Sequence, residues 1–445
     1  MQIPGKLIIF LNGILLAILL SHSMYRDYQL ERRFPMDLRN RVVGSRLQKD
    51  GRLPYSYYWQ PSDGMRYYDL YNWISNGKGV SNITASPFFH SIFNPLFELP
   101  QRTISRIWLW LQYFLLACMI LMFCRLTANN KEKWLVLNLG ILFTTTEAWI
   151  ALIFYGQIYF IEAFLMSGII FALVRNTRWF IMLAGILAAA FVLTRPIGIV
   201  IFIPFLFYFR KYFLFLLVSF AGLAVYGLFV LINPYEQSLY RNYIRSMKMH
   251  AEIHILDDSS SSVHTNPATV SSNVEGFDMN EVKRLIKENP VFSYSEFGNV
   301  FVLYNRITHQ KMPLALLIFC SACTVVFISG LFYFYGRKHP PEMIQLLLTG
   351  FLLYMVVDIF SPVHRAQYNS VQWLPLLFTG ILWMKERKPL LFILLLAGLL
   401  LNISNFSWLP MRHTLGEFVW VITFLLLIFS YPANNKTLPQ SGRVL

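Results

Sequence analysis

Short polar clusters interrupt the long apolar stretches of this sequence, and their residue types suit proton transfer and phosphate binding. Asp37 is an acid that could accept a proton from a hydroxyl group, a form of assistance worth about 10²- to 10⁴-fold in rate. Arg39 and Arg41 follow on the same segment, and Arg195 ends a later apolar stretch. A guanidinium can bind phosphate through two parallel hydrogen bonds. One carboxylate with several cations therefore predicts chemistry on a phosphate-containing compound.

Two further clusters add amide, imidazole and aromatic groups. Gln157 follows Gly156 and offers both a donor and an acceptor, which suits a sugar hydroxyl. His364 and Arg365 follow Pro362 and are natural partners for phosphate. The remaining candidates, which would contact an acceptor or line a groove, are His90, Gln367 and Tyr368.

Each candidate also has a purely structural interpretation. Asp37 could cap a helix and pair with Arg39 or Arg41. Arg195 could extend its charged end to the membrane surface, and Gln157 could serve only as a polar turn. The residues alone do not decide between these interpretations.

The composition predicts an integral membrane protein. Of 445 residues, 56% are hydrophobic and only 14% are charged, whereas soluble domains contain about 25% charged residues. A spanning helix needs roughly 20 apolar residues, and twelve segments approach or reach that length. The predicted segments are Leu7–Leu20, Ile104–Cys124, Trp134–Ile150, Tyr159–Val174, Trp179–Leu193, Ile197–Phe209, Tyr212–Ile232, Leu314–Tyr335, Met343–Phe360, Val371–Met384, Leu390–Leu401 and Phe418–Tyr431.

The connectors between these segments predict the topology. Short connectors rich in Lys and Arg stay in the cytoplasm; here they are Arg125–Lys133, Arg175–Arg178, Arg210–Lys211, Arg337–Lys338 and Lys385–Lys388. The polar clusters and two long loops, 22–101 and 233–312, then fall on the outer face, with both termini in the cytoplasm. The sequence thus predicts one all-α transmembrane domain over residues 1–445, with about twelve helices and the candidate site outside.

The formal charge of +15 does not indicate nucleic-acid binding here. Part of this positive charge lies in the short connectors that are predicted to be cytoplasmic, and another part lies in the first long loop. Basic residues in that loop suit the phosphate of a lipid. We expect membrane lipids, and no nucleic acid, as partners.

Both long loops contain predicted amphipathic helices. In the first, the spacing of apolar residues over Leu38–Gln48 predicts a helix that starts at Asp37, ends before Gly51 and lies flat at the membrane surface. In the second, a helix is predicted over Tyr235–His250, followed by a flexible serine-rich stretch at Asp257–Ser262. A further helical piece is predicted over Asn280–Lys287.

No metal site, cofactor or disulfide is expected. All four cysteines fall in apolar segments, where thiolate formation is disfavoured. The sequence contains no Asp-x-Asp motif of the kind that binds nucleotide sugars through a metal. That absence disfavours a soluble, nucleotide-dependent transferase.

The order of these motifs resembles the polytopic glycosyltransferases of the C superfamily, and most closely those of family 87. The stretches that carry the resemblance are Asp37–Tyr55, Ser86–Leu96, Gly156–Tyr159, Arg195–Pro196 and Ser361–Arg365. The resemblance implies a polyprenyl-phosphate hexose as donor, with mannose favoured, and transfer with inversion. It also implies Asp37 as general base, His364 near the donor phosphate and no metal. The acceptor, a lipid or a glycan, stays open, and the expected site is the outer face of a bacterial inner membrane.

Two other functions fit the same features. One is transport of lipid-linked sugars across the membrane, and the other is a non-catalytic role in the assembly of envelope polysaccharide. A transporter would show charges deep in several helices and paired broken helices, whereas most ionisable residues here lie near one surface. An Asp37→Asn change separates the functions, because only a transferase needs that carboxylate as a base.

Overall fold

The computed structural model confirms an all-α fold, and the described residues also include several short 3₁₀ helices and five short strands. The described residues are 5–31, 35–68, 72–75, 78–81, 83–256, 264–265, 273–274, 277–278, 298–363, 365–384, 389–403, 409 and 411–429. The predicted elements at Asp257–Ser262 and Asn280–Lys287 lie outside these residues.

The helices follow one another through short connections. In chain order they are α1 (Gly5–Glu31), α2 (Met36–Lys49), α3 (Pro87–Phe97), α4 (Gln101–Cys124), α5 (Asn130–Phe143), α6 (Glu147–Tyr155), α7 (Tyr159–Arg175), α8 (Arg178–Thr194), α9 (Ile203–Leu206), α10 (Phe213–Ile232), α11 (Pro234–Leu256), α12 (Val300–Thr308), α13 (Leu314–Lys338), α14 (Met343–Ile359), α15 (Leu374–Trp383), α16 (Pro389–Ile403) and α17 (Arg412–Phe429). The strands are β1 (Asn72–Ser75), β2 (Lys78–Ser81), β3 (His264–Thr265), β4 (Asn273–Val274) and β5 (Phe277–Asp278).

Each of the twelve predicted apolar segments coincides with helical structure, although fewer are long single spans. Within the described residues, five helices are long and apolar enough to cross a membrane: α1, α4, α10, α13 and α17. The pair α5 and α6, bent by 54°, would make a sixth span. Shorter apolar helical stretches are Arg178–Thr194, Pro196–Leu206, Met343–Ile359 and Pro389–Ile403. The chain is an integral membrane protein.

A run of three threonines breaks the segment that we predicted as one helix over Trp134–Ile150. The hydroxyls of Thr144, Thr145 and Thr146 each donate to the carbonyl three residues earlier, at 2.6 to 2.7 Å. Such bonds compete with the helical pattern. Thr146 then caps α6 by accepting from the backbone N–H of Trp149. The break turns α6 so that its far end meets α2.

Two other predicted spans begin as 3₁₀ helices, Pro196–Phe202 and Gln367–Trp373, before α9 and α15. Proline lacks the N–H that an α-helix interior requires, so it suits the first turn of such a segment. Both 3₁₀ helices follow residues of the candidate site, and aromatic rings such as Phe191 and Tyr354, 5.0 Å apart, pack beneath them. The site therefore rests on a packed core.

The two long loops contact each other. β1 of the first loop pairs with β3 of the second, with Trp73 opposite Thr265. The Tyr235 hydroxyl of α11 donates to the carbonyl of Gln48 at 2.7 Å. The predicted helix in each loop is confirmed, as α2 and α11. These contacts place both loops on one side of the helices.

The helix α2 is enclosed by protein, unlike the surface helix that we predicted. Its apolar residues Leu38, Val42 and Leu47 are buried, and so are the charged residues Arg39 and Arg46. The guanidinium of Arg46 donates to the carbonyls of Phe97 and Leu99. Buried arginines are retained when their N–H groups are satisfied in this way. α2 is thus a fixed part of the protein core.

Candidate active site

A glycine turn brings the start of α2 against the helix bundle. Gly156 ends α6 with φ of 65°, a left-handed conformation that glycine adopts without strain. A Cβ at this position would lie 2.6 Å from the Cβ of Leu38 and 2.7 Å from the Cβ of Pro35. Only glycine allows this approach, and the approach sets Asp37 beside Gln157.

The Asp37 carboxylate lies in a protein environment that favours its protonated form. Burial raises the pKa of Asp37 to about 6, although the charge of Arg41 and the hydrogen bond from Gln157 both oppose the rise. The Gln157 amide donates to Oδ2. Among the residues that the structure describes, no group donates to Oδ1, and the side chain is partly exposed. Asp37 is therefore a carboxylate that can exchange a proton near neutral pH.

Asp37 does not cap its helix. The N-cap of α2 is Pro35, without a side-chain cap, and Asp37 lies within the first turn. Arg41 donates to the backbone carbonyl of Asp37 at 2.6 Å and to the Gln157 side-chain oxygen at 2.5 Å. Gln157 therefore joins the acid and the arginine, and it is more than a polar turn.

Three tyrosines continue the site from Asp37. Tyr368 stacks on Tyr159 with ring centroids 5.4 Å apart, and Tyr155 meets Tyr368 edge-on at 5.7 Å. Burial raises the pKa of the Tyr368 hydroxyl, and the nearby Asp37 carboxylate raises it further. All three rings are partly exposed, unlike Gln157 between them. They form a continuous aromatic surface, the tyrosine platform, that starts at Asp37.

Arg195 lies at the other end of the tyrosine platform. Its guanidinium is 5.2 Å from the centroid of the Tyr159 ring, and its Nη2 donates to Asp358 Oδ1 at 2.5 Å. The side chain is 23% exposed, and its Nε has no hydrogen-bond partner in the described part of the chain. Arg195 thus presents a cation at the site, held from behind by a carboxylate.

Two of the candidate arginines lie away from the tyrosine platform. Arg39 is buried and donates to the carbonyls of Tyr68 and Met65 and to the side chain of Gln101. Arg365 is 1% exposed and donates to Asp358 at 2.5 Å and to Glu417. Their guanidiniums hold other parts of the protein together, so neither presents its charge at the tyrosine platform.

The remaining candidates are placed as follows. His90 of α3 is fully buried and stacks on Tyr55 at 6.0 Å. Burial, with a smaller effect from Arg41, lowers its pKa to about 3, so the ring is neutral. Gln367 is buried at the start of the 3₁₀ helix that carries Tyr368. His364 lies outside the described residues.

Sequence reasoning missed several members of this arrangement. Neither Asp358 nor Glu417 is among the candidates named from the sequence. Tyr155 and Tyr159 flank the Gly156-Gln157 turn, and that position is the signal that could have identified them. The structure thus has a base candidate at one end of an aromatic surface and a cation at the other.

Comparison with known proteins assigns the family. Residues 84–362, more than half of the chain, match glycosyltransferase family 87. The match includes Gln157, Arg195 and Asp358 and begins after Asp37. No curated protein sequence matches the chain.

Among solved structures, the chain is similar to the apo-form oligosaccharyltransferase of Archaeoglobus fulgidus, with 13% identity and a TM-score of 0.39. That similarity covers 95% of this chain and 56% of the other, so the chain spans little more than half of its length. Similarity at this level does not establish shared function. The family match confirms the resemblance drawn from the motifs: the chain belongs to glycosyltransferase family 87 and is a membrane glycosyltransferase.

Proposed function

We propose that the protein transfers a hexose, with mannose as the first candidate, from a polyprenyl-phosphate donor to a lipid or glycan acceptor. The transfer occurs at the outer face of a bacterial inner membrane and inverts the anomeric configuration. The supporting observation is that Asp37 and Arg195 lie at opposite ends of the Tyr159–Tyr368 stack. A donor whose sugar covers the tyrosines would have its phosphate near Arg195 and its reacting carbon toward Asp37.

Asp37 is the general base in this proposal. Its Oδ1 takes the proton of the acceptor hydroxyl while that oxygen attacks the anomeric carbon of the donor sugar. The bond between that carbon and the phosphate oxygen breaks, and the electron pair leaves with polyprenyl phosphate. A pKa of about 6 for Asp37 makes it both ionised and reasonably basic at neutral pH.

Gln157 and Arg41 keep the base in position. The Gln157 amide donates to Oδ2 of Asp37, and Arg41 holds the oxygen of the same amide at 2.5 Å. Oδ1 is then oriented away from these partners. Orientation of a reacting group by fixed neighbours lowers the entropic cost of reaction.

The phosphate side of the proposal rests on Arg195. A guanidinium matches the geometry of phosphate oxygens and retains its charge at all relevant pH values. Arg41 adds positive charge beside the base, and His364 stays a proposed phosphate contact. Because phosphate is already a good leaving group, the reaction needs no general acid, metal or other cofactor.

The tyrosine platform is the proposed contact surface for the hexose. Aromatic side chains combine a large apolar face with polar edges, and the three hydroxyls can bond to sugar hydroxyls. Tyr368 and Gln367 would lie beside the acceptor. The outer-face location is supported by the contact between the two long loops, since both were assigned to that face by the basic connectors.

The test is transfer by the purified protein in lipid vesicles, with a panel of polyprenyl-phosphate sugars radiolabelled in the hexose. Acceptors are supplied as an extract of native envelope lipids and glycans. We expect label in a lipid or glycan product from one donor, and product NMR should show the anomeric configuration opposite to that of the donor.

The matched control is the Asp37→Asn variant in the same vesicles, which should bind donor but form product at least about 100-fold more slowly. Movement of labelled donor across the vesicle membrane is measured in parallel. Movement without product, unchanged in Asp37→Asn, would overturn the proposal in favour of transport.

A further inference from the structure

A fully buried carboxylate joins two of the arginines near the site. Asp358, in the last turn of α14, accepts from Nη2 of Arg195 through Oδ1 at 2.5 Å. Its Oδ2 accepts from Nε of Arg365, also at 2.5 Å. Charge-assisted bonds of this kind are stronger than neutral ones and fix geometry. Each oxygen of Asp358 thus holds a different guanidinium.

The two arginines differ in freedom. Arg365 is 1% exposed and its Nη1 donates to Glu417, whose other oxygen accepts from Ser370. The backbone of Arg365 is held as well, since its N–H donates to the Asn299 side chain at 2.6 Å. Arg365 is therefore fixed from several directions and has no access to a ligand.

Arg195 is the partly exposed member of this group of ion pairs. Its side chain is 23% exposed, while that of Asp358 is fully buried. It lies over Tyr159, and its Nε has no partner among the described residues. The bond to Asp358 orders the Arg195 side chain before any ligand is present. Ligand binding then costs less side-chain entropy than it would for a mobile arginine.

We propose that Asp358 is a positioning residue that sets the affinity for the donor phosphate through Arg195. Arg365 and Glu417 form a buried brace behind Asp358 and do not contact the phosphate. This inference rests on the proposed function only in naming a lipid phosphate as the ligand. It assigns a role to two acids that the motif analysis did not place in the site.

The experiment measures binding of polyprenyl monophosphate, without sugar, to the full-length protein in detergent micelles. Arg195→Gln should weaken binding by about tenfold or more, the usual effect of losing a hydrogen bond to a charged group. Asp358→Asn should weaken it by a similar factor. The double variant should be no weaker than Arg195→Gln, because Asp358 acts only through Arg195.

Asp358→Glu is a second variant, included in case Asp358→Asn does not fold. It keeps the buried negative charge but lengthens the side chain, so Arg195 shifts and binding weakens, while the melting temperature falls less than in Asp358→Asn. The matched control is Glu147→Gln, which breaks another buried ion pair, with Arg412. That change should lower the melting temperature and leave binding unaltered.

The outcomes separate this inference from the proposed function. Unchanged binding in Asp358→Glu and Asp358→Asn, or losses that multiply in the double variant, would overturn the positioning role. Transfer by the wild type would still stand in that case. Binding that follows the expected pattern, without transfer of any sugar, would overturn the proposed function and leave the role of Asp358 intact.

Discussion

Two aspartates at opposite ends of the tyrosine platform have opposite surroundings. Asp37 is partly exposed and receives a hydrogen bond from a neutral amide, with one oxygen left available. Asp358 is fully buried, and each of its oxygens accepts from a guanidinium at 2.5 Å. The first carboxylate can exchange a proton with a ligand, whereas the second can only hold cations. The same side chain therefore serves two purposes, and its neighbours decide which.

The two aspartates should also contribute differently to the stability of the folded protein. The Asp37 pKa is raised above its ordinary 3.8 to about 6, so proton uptake by the folded state stabilises it at low pH, and this contribution is lost as the pH rises through 6. Above that pH the charged form disfavours folding. Asp358 has two cationic partners, and its removal leaves Arg195 without a carboxylate and Arg365 with only Glu417.

The largest effect should come from the proposed base. Asp37→Asn removes the carboxylate to which we assign the acceptor proton, so kcat should fall by about 10²- to 10⁴-fold. The melting temperature at pH 8 should be equal to or above that of the wild type, because the variant lacks the disfavoured charge. Initial rates at saturating donor and a thermal melt measure both.

Asp63→Asn is the matched control for this change. Asp63 also lies in the first loop but pairs with Arg52 at 3.4 Å near the surface, and surface ion pairs contribute little. The variant should keep full activity. If it were as inactive as Asp37→Asn, the first loop would be sensitive to charge in general and Asp37 would have no special role.

The next largest effect should be the loss of protein stability when Asp358 is replaced. Asp358→Ala leaves Arg195 without its carboxylate partner and leaves Arg365 with Glu417 alone, and breaking a buried ion pair costs about 3 to 5 kcal/mol. The corresponding Asp37→Ala change should cost far less, since Asp37 is already disfavoured in its charged form. Thermal and denaturant unfolding in one detergent compares them directly. Equal losses of stability would erase the distinction between the two regions.

A smaller effect is expected from the tyrosine platform. Tyr368→Ala removes a ring stacked on Tyr159, and aromatic contacts contribute about 0.5 to 1.5 kcal/mol, or roughly two- to tenfold in kcat/KM for the donor. Tyr368→Phe keeps the ring and should retain most of the activity. A larger loss in the Phe variant than in the Ala variant would show that the ring is not the contact surface.

The smallest effect is expected at His90. Its ring is buried, neutral and without a hydrogen-bond partner on either nitrogen in the described structure. Replacing an unsatisfied polar group by an apolar one of similar size is neutral or stabilising. His90→Leu should therefore leave kcat and the acceptor KM unchanged, as measured with the assay above. A raised acceptor KM would return His90 to the site.

Much of the site could be predicted because its members share one feature of the sequence. Asp37, Gln157, Arg195 and Tyr368 all lie in connectors opposite the short basic ones. The rule that keeps those basic connectors in the cytoplasm collects the others on one face. The family resemblance followed from the same order of motifs. The pairing of Asp37 with Gln157 also has a local signal, since Gly156 allows the close approach.

The differences between neighbouring arginines could not be predicted. Arg39 and Arg41 are two residues apart on α2, and such positions point to different sides of a helix. One donates to loop carbonyls and the other to Gln157. Which side faces the site depends on how α2 packs, and composition does not determine that packing. The bonds from Arg365 to Asp358 and Glu417 likewise depend on distant helices meeting.

Helix breaks were also invisible to hydropathy. Threonine is uncharged and only mildly polar, so the run at residues 144–146 did not interrupt a predicted apolar segment. Its effect arises from hydroxyl groups that bond to nearby carbonyls. The resulting bend directs α6 toward α2, and the site depends on that bend.

The pH dependence of kcat/KM tests the central claim most directly. The base must be ionised in the free enzyme, so the rate should rise with pH and level off above about 6, the pKa of Asp37. Arg41 lowers that pKa, so Arg41→Gln should move the rise to higher pH, whatever its effect on the maximal rate. A rise near 3.8, the ordinary value for an aspartate, or an identical profile in Arg41→Gln, would contradict Asp37 as the base.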